Sequence, residues 1–105
     1  TLEYVIVAEN SGGADLTGCA VSDLIPEAFV GLKTGVYGGD DVFYIDPAGT
    51  PSTFAAGAVG ANQASFVAGG DPNLIVNVGA GADSMTTGTL PVGNGVTVAY
   101  QVTIQ

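Results

Sequence analysis

Acids are the only reactive side chains present in number: ten Asp and Glu stand against a single Lys, and His is absent. Asp40, Asp41 and Asp46 fall in one loop-strand-loop unit, with Asp71 and Asp83 in other loops. Calcium takes hard oxygen ligands from loops, which makes Asp40, Asp41 and Asp46 the candidate calcium ligands. Their spacing is not that of an EF-hand, and solvated loop acids are the plainer reading. Paired carboxylates also hydrolyse glycosides, but adjacent Asp40 and Asp41 point in opposite directions in an extended chain, and no Trp offers a platform for a sugar. Without His there is no Ser-His-Asp or Cys-His arrangement and no histidine metal site. Cys19 is the only cysteine, so neither an internal disulfide nor a CxxC pair exists. It lies in an apolar-patterned strand with no basic neighbour in sequence to lower its pKa, as a small buried hydrophobe would. Lys33 invites comparison with the intramolecular isopeptide bonds of some surface sandwiches, yet it follows the Pro26 turn, between Leu32 and Thr34, instead of sitting in an opening strand. This inventory points away from catalysis and requires no cofactor.

Charge narrows the partners. A net charge of -9 leaves the chain unable to neutralise a phosphate backbone or an anionic lipid surface, so nucleic acid and direct membrane binding are set aside. The same acidity keeps copies soluble and attracts cations. No run approaches the roughly 18 apolar residues that span a bilayer as a helix. Thr1 stands directly before a strand-like pattern, which suggests a processed or excised piece whose targeting signal or anchor would lie elsewhere.

The elements that must position these groups read as strands. At 105 residues, 47% hydrophobic and 10% charged, the chain suits one domain with a modest core. Leu2, Tyr4, Ile6 and Ala8 alternate along an opening strand, expected to bury that face firmly, and Asn10-Ser11-Gly12-Gly13 ends it in a turn. A second strand is expected over residues 16–23. Asp23 is placed to accept backbone N–H groups around Leu24-Ile25-Pro26, while Pro26 lacks the N–H a central ladder needs. Phe29 reads as a plug at one end of the core, and Gly35-Val36-Tyr37 as a short strand before Val42-Phe43-Tyr44-Ile45. Residues 48–70 are rich in Gly, Ala and Ser, with Phe54, Val59 and Phe66 as sparse anchors, and read as an inserted region of loop and short strands. Order returns at Asn73-Leu74-Ile75-Val76-Asn77-Val78, and a further short strand lies within residues 85–90. Gly93 belongs to a tight reversal, after which Val96, Val98, Tyr100, Val102 and Ile104 give the cleanest alternation in the chain. Leu90 and Tyr100 are candidates for the core or the sheet rim. About seven or eight short strands without a helical run predict an all-β, antiparallel sandwich of two packed sheets, with a small barrel as the alternative.

Three segments carry a family resemblance. Tyr4-Val5-Ile6-Val7-Ala8-Glu9-Asn10-Ser11-Gly12 resembles the "Y-x-[IV]-x-[IV]-x-N-x-G" opening of DUF11-type repeat domains of prokaryotic surface proteins. Val21-Ser22-Asp23-Leu24-Ile25-Pro26 is similar to their "V-x-D-x-[IL]-P" element, and the stretch from Gly88 to Ile104 to their closing strand. The tryptophan often found before the closing Leu-x-x-Gly is missing, and residues 48–70 depart from the pattern. The resemblance implies an immunoglobulin-like sandwich at the cell surface or secreted, serving as a subunit of a filament, an S-layer or an adhesin stalk, with copies of itself or tandem similar domains as partners. The alternative is a ligand-binding module of an adhesin that recognises a glycan or a protein through residues 48–70. If copies assemble, strand addition is the expected route, with Leu2, Tyr4, Ile6 and Ala8 as the donor strand and the glycine-rich turn after it as the hinge.

Overall fold

The stretch with the cleanest alternation becomes the central strand of the molecule. In a computed structural model that describes residues 1–105, it is β10 of ten strands, and there is no helix. The strands are β1 (Leu2–Glu9), β2 (Leu16–Asp23), β3 (Val30–Lys33), β4 (Val42–Ile45), β5 (Pro51–Phe54), β6 (Ala56–Gly57), β7 (Ala64–Phe66), β8 (Leu74–Asn77), β9 (Gly88–Leu90) and β10 (Gly95–Ile104).

Two sheets pack face to face. The first runs β1-β10-β4-β5, with β3 also on β10. One side of β10 takes β4 along Thr97 to Tyr100 and β3 along Gln101 to Ile104, while its other side takes β1 over the full length, from Leu2 opposite Val102 to Glu9 opposite Gly95. The second runs β6-β7-β8-β2-β9, antiparallel except for the short β6–β7 pair. The chain crosses between the sheets after β1, β2, β5 and β9, so the core is closed only when distant segments meet.

That core follows the pleat. Val96, Val98, Tyr100 and Val102 of β10 and Val42 and Tyr44 of β4 meet Leu74 and Val76 of β8, with Ile25, Val78 and Leu90 filling the ends. Small residues let backbones cross closely where β9 returns past the end of β8. A Cβ on Gly79 or Gly88 would lie within 2.6–2.9 Å of backbone atoms, and Gly79 also has φ of +102°, so only glycine fits there.

Several expectations change here. Phe29 is not a core plug: it is 71% exposed on the turn whose N–H groups at Phe29 and Val30 bond Pro26 O. Val59 is exposed as well, whereas Phe54 and Phe66 pack against the core. Gly35-Val36-Tyr37 forms no strand, only a bridge from Tyr37 to Asp40. Residues 48–70 hold short strands and loop as expected, but the strands number three, β5, β6 and β7, which raises the total above seven or eight. Their small side chains make this feasible, since Ala64 is fully buried between neighbours. The opening strand does not bury a face firmly, because it is an edge: Ile6 and Ala8 reach the core, while Leu2 and Tyr4 keep more than two-fifths of their surface exposed.

This placement separates two substitutions that share a sequence pattern. Val98 is fully buried at the centre of β10, so Val98→Ala is expected to cost about 1 to 4 kcal/mol by leaving a cavity between sheets. Ile6→Ala, on an edge strand that can relax toward solvent, should cost clearly less. Urea midpoints measured side by side check the order, and equal losses would contradict it.

Candidate functional site

Polar side chains stitch the strand ends before any surface can be presented. Asn10 follows β1 and is 3% exposed. Its Nδ2 donates to Ala14 O and to Leu90 O, both at 2.9 Å, while its Oδ1 accepts the Gly12 N–H at 3.0 Å. Its backbone bonds Asn94 O and the Gly93 N–H, so Asn10 and Gly93 lock the end of β1 to the β9–β10 turn. The segment expected to act as a hinge is therefore anchored at its first residue.

Asp23 and Tyr100 join the two sheets. The Tyr100 hydroxyl, on β10, donates to the Asp23 carboxylate at the end of β2, and the Tyr100 ring stacks on Tyr4 with centroids 5.3 Å apart. The turn at Leu24-Ile25-Pro26 is held by Asn73 instead: its Oδ1 accepts the Ile25 N–H and its Nδ2 donates to Ile25 O, both at 2.8 Å, and to Glu27 at 3.2 Å. Asn73 is 2% exposed. Sequence reasoning missed it, since an Asn before an apolar run reads equally well as an ordinary turn residue.

The three candidate calcium ligands occupy separate hydrogen-bond systems. Asp41 accepts the Gly35 N–H at 2.8 Å and the Ala56 N–H at 2.9 Å, one on each oxygen. Asp40 accepts the Thr53 hydroxyl at 2.6 Å, and Asp46 accepts the Ala48 and Thr50 N–H groups at 2.9 Å. Each thus shapes a turn, and no group of three or more His, Cys, Asp or Glu side chains converges to hold a metal ion. Lys33 lies at the surface with Nζ 3.2 Å from Thr1 Oγ1. Cys19 is half-buried.

The exposed edge is the most distinctive surface. Val5 and Val7 on the outer face of β1 are 57% and 62% exposed, and Leu2 and Tyr4 on its inner face are exposed too. Next to Val5 an open trough of about 350 Å³ is walled by Phe43, Ala99 and Tyr37. Glu3 closes one end, accepting the Tyr37 hydroxyl at 2.7 Å and Gln101 Nε2 at 3.1 Å. These two donors hold the Glu3 carboxyl below its usual range. A second cleft, of about 390 Å³, lies at the edge of residues 48–70 between Tyr44, Asp46, Gln63 and Asn94.

Three phenols resist ionisation. Burial raises Tyr100, and the Asp23 carboxylate adds to the effect. Burial also raises Tyr44, whose oxygen accepts the Gly79 N–H at 2.9 Å. Tyr37 is pushed up to about 12, by burial first and then by Glu3. Unfolded tyrosines ionise near pH 10. The stability these three phenols contribute is therefore fully present below about pH 10 and is lost as pH rises toward the folded values, because the unfolded chain gives up protons first. Urea midpoints should fall above pH 10. Tyr100→Phe should flatten that fall by up to about 1.4 kcal/mol per pH unit, and an unchanged slope would contradict the assignment.

No protein-family model matches the chain, and no curated protein or solved structure is similar enough to it to count as a match.

Proposed function

We propose that this chain is a structural building block of the prokaryotic cell exterior, a subunit of an extracellular filament or surface layer or a stalk module, which works by associating with copies of itself and carries out no catalysis. The observation that carries the reading is β1. Its eight residues form a sheet edge with no Pro, Lys or Arg, no break in its register with β10, and charge only at Glu3 and Glu9 toward its two ends. Natural sheets blunt such edges with proline, lysine or bulges, and an unblunted one offers its unpaired N–H and C=O groups to another strand. The segments that resemble DUF11-type domains support an immunoglobulin-like reading of the sandwich, since they become β1, β2, β9 and β10 and pack together. The charge of -9 and the absence of histidine fit a soluble, chemically quiet module better than an enzyme.

A second reading rests on the cleft beside Tyr44, Asp46, Gln63 and Asn94, which residues 48–70 help to line. It would make the chain a ligand-binding module of an adhesin. Electron microscopy of the protein in its native material, alongside a glycan and protein binding screen, separates the two. Ordered fibres or lattices containing the chain support the building block, whereas a dispersed domain with one soluble ligand overturns it.

A further inference from the structure

We infer that the partner of the β1 edge is β1 of a second copy, paired antiparallel about a two-fold axis normal to the sheet at Val5. This rests on the self-association proposed above and specifies its contact.

A two-fold axis normal to a sheet reverses strand direction and keeps each face on its own side, so it must pass beside one residue paired with itself. Only four residues of β1 are central enough to serve: Tyr4, Val5, Ile6 and Val7. Charge chooses among them. An axis at Ile6 sets Glu3 opposite Glu9 at two places, with no cation on the strand to offset either pair, and like charges directly opposite destabilise a ladder. An axis at Val5 sets Glu3 opposite Val7 and Glu9 opposite Thr1, and pairs Leu2 with Ala8 and Tyr4 with Ile6. Axes at Tyr4 or Val7 also avoid the clash but shorten the ladder. The Val5 register is therefore the longest one free of facing carboxylates. It covers all four exposed apolar residues of the edge and joins the two Phe43–Ala99 troughs across the axis.

Salt response tells a like copy from a basic partner. Two copies at -9 each repel at long range, so pairing of like copies strengthens as salt screens them, whereas docking of a basic partner weakens.

The test places a single cysteine at Tyr4, Val5, Ile6 or Val7 in a Cys19→Ser background and follows disulfide dimer formation under mild oxidation. A residue on the axis meets its own copy at disulfide distance, while its neighbours do not. Val5→Cys should crosslink at least roughly fivefold faster than the other three, with the rate rising with salt. Fastest crosslinking at another position overturns the register and leaves self-association standing. No crosslinking anywhere, in a protein that sediments as a monomer at every salt concentration, overturns both. Hydrogen exchange on the unaltered protein provides an independent check: outward-facing β1 amides should gain protection as protein concentration rises, and unchanged exchange contradicts the pairing.

Discussion

Tyr100→Ala is expected to remove about 3 to 5 kcal/mol of stability, as truncation of a large buried aromatic does. Tyr100 is 1% exposed, so its ring volume cannot be refilled from solvent. It also makes the cross-sheet bond to Asp23 and the stack on Tyr4, and it sits on the one strand that pairs with β1, β3 and β4. Small domains hold only about 5 to 15 kcal/mol in total, so the variant should unfold at much lower urea or be largely unfolded at 37 °C. Tyr100→Phe keeps the ring and gives up the hydroxyl, leaving the Asp23 carboxylate at the domain's edge to find water, and should cost about 1 to 2 kcal/mol. Comparable midpoints for the alanine variant and the parent would show that the two sheets do not close on this residue.

Asn10→Asp, a change of one atom pair, should also cost several kcal/mol at neutral pH, about 3 to 5 by analogy with a buried charge left without a counterion. Two carbonyl oxygens, of Ala14 and Leu90, lie at 2.9 Å from the amide nitrogen, and a carboxylate oxygen in its place would face them with no proton to donate. The buried acid therefore has its folded pKa raised above the unfolded value near 3.9. Its stability penalty is small below that pH, where the proton can donate to a carbonyl, and grows as pH rises through and beyond it. Urea titrations of the variant at pH 3.5 and pH 7, each against the parent, should show the larger deficit at pH 7. An equal deficit at both would mean that Asn10 does not act through this amide.

The strands themselves were legible because alternation needs only neighbours. Val96 to Ile104 reads as a half-buried strand from its period alone, and β10 lies there. The same period marked Leu2, Tyr4, Ile6 and Ala8 as one face, correctly sharing a side of β1, but periodicity does not say whether a second sheet covers that face or whether a strand has one neighbour or two. Only β10 flanks β1, and that depends on residues 95–102 arriving from the far end of the chain. The local polar ties at Asn10 and Asp46 follow from the turn chemistry of Asn and Asp. The tie between Asp23 and Tyr100 spans 77 positions, and the tie between Asn73 and Ile25 spans 48. No local signal distinguishes such bonds from ordinary turn contacts. The short strands in residues 48–70 were blurred for another reason: Ala, Gly and Ser carry little pattern, and their pairing is set by what they pack against.

The proposed role makes the free edge of β1 the joint between copies of this chain. Sedimentation velocity of the unaltered protein and of Val5→Lys, over a range of concentrations and from low to high salt, tests it most directly. Val5 is exposed on the outer face, so lysine there should leave the fold and its urea midpoint unchanged while setting two lysines directly opposite one another on the axis, where like charges oppose pairing. The expected result is a parent that shifts from monomer to larger species as salt and concentration rise, and a variant that stays monomeric throughout. A parent that remains monomeric under all conditions, or a variant that associates as the parent does, would contradict the claim.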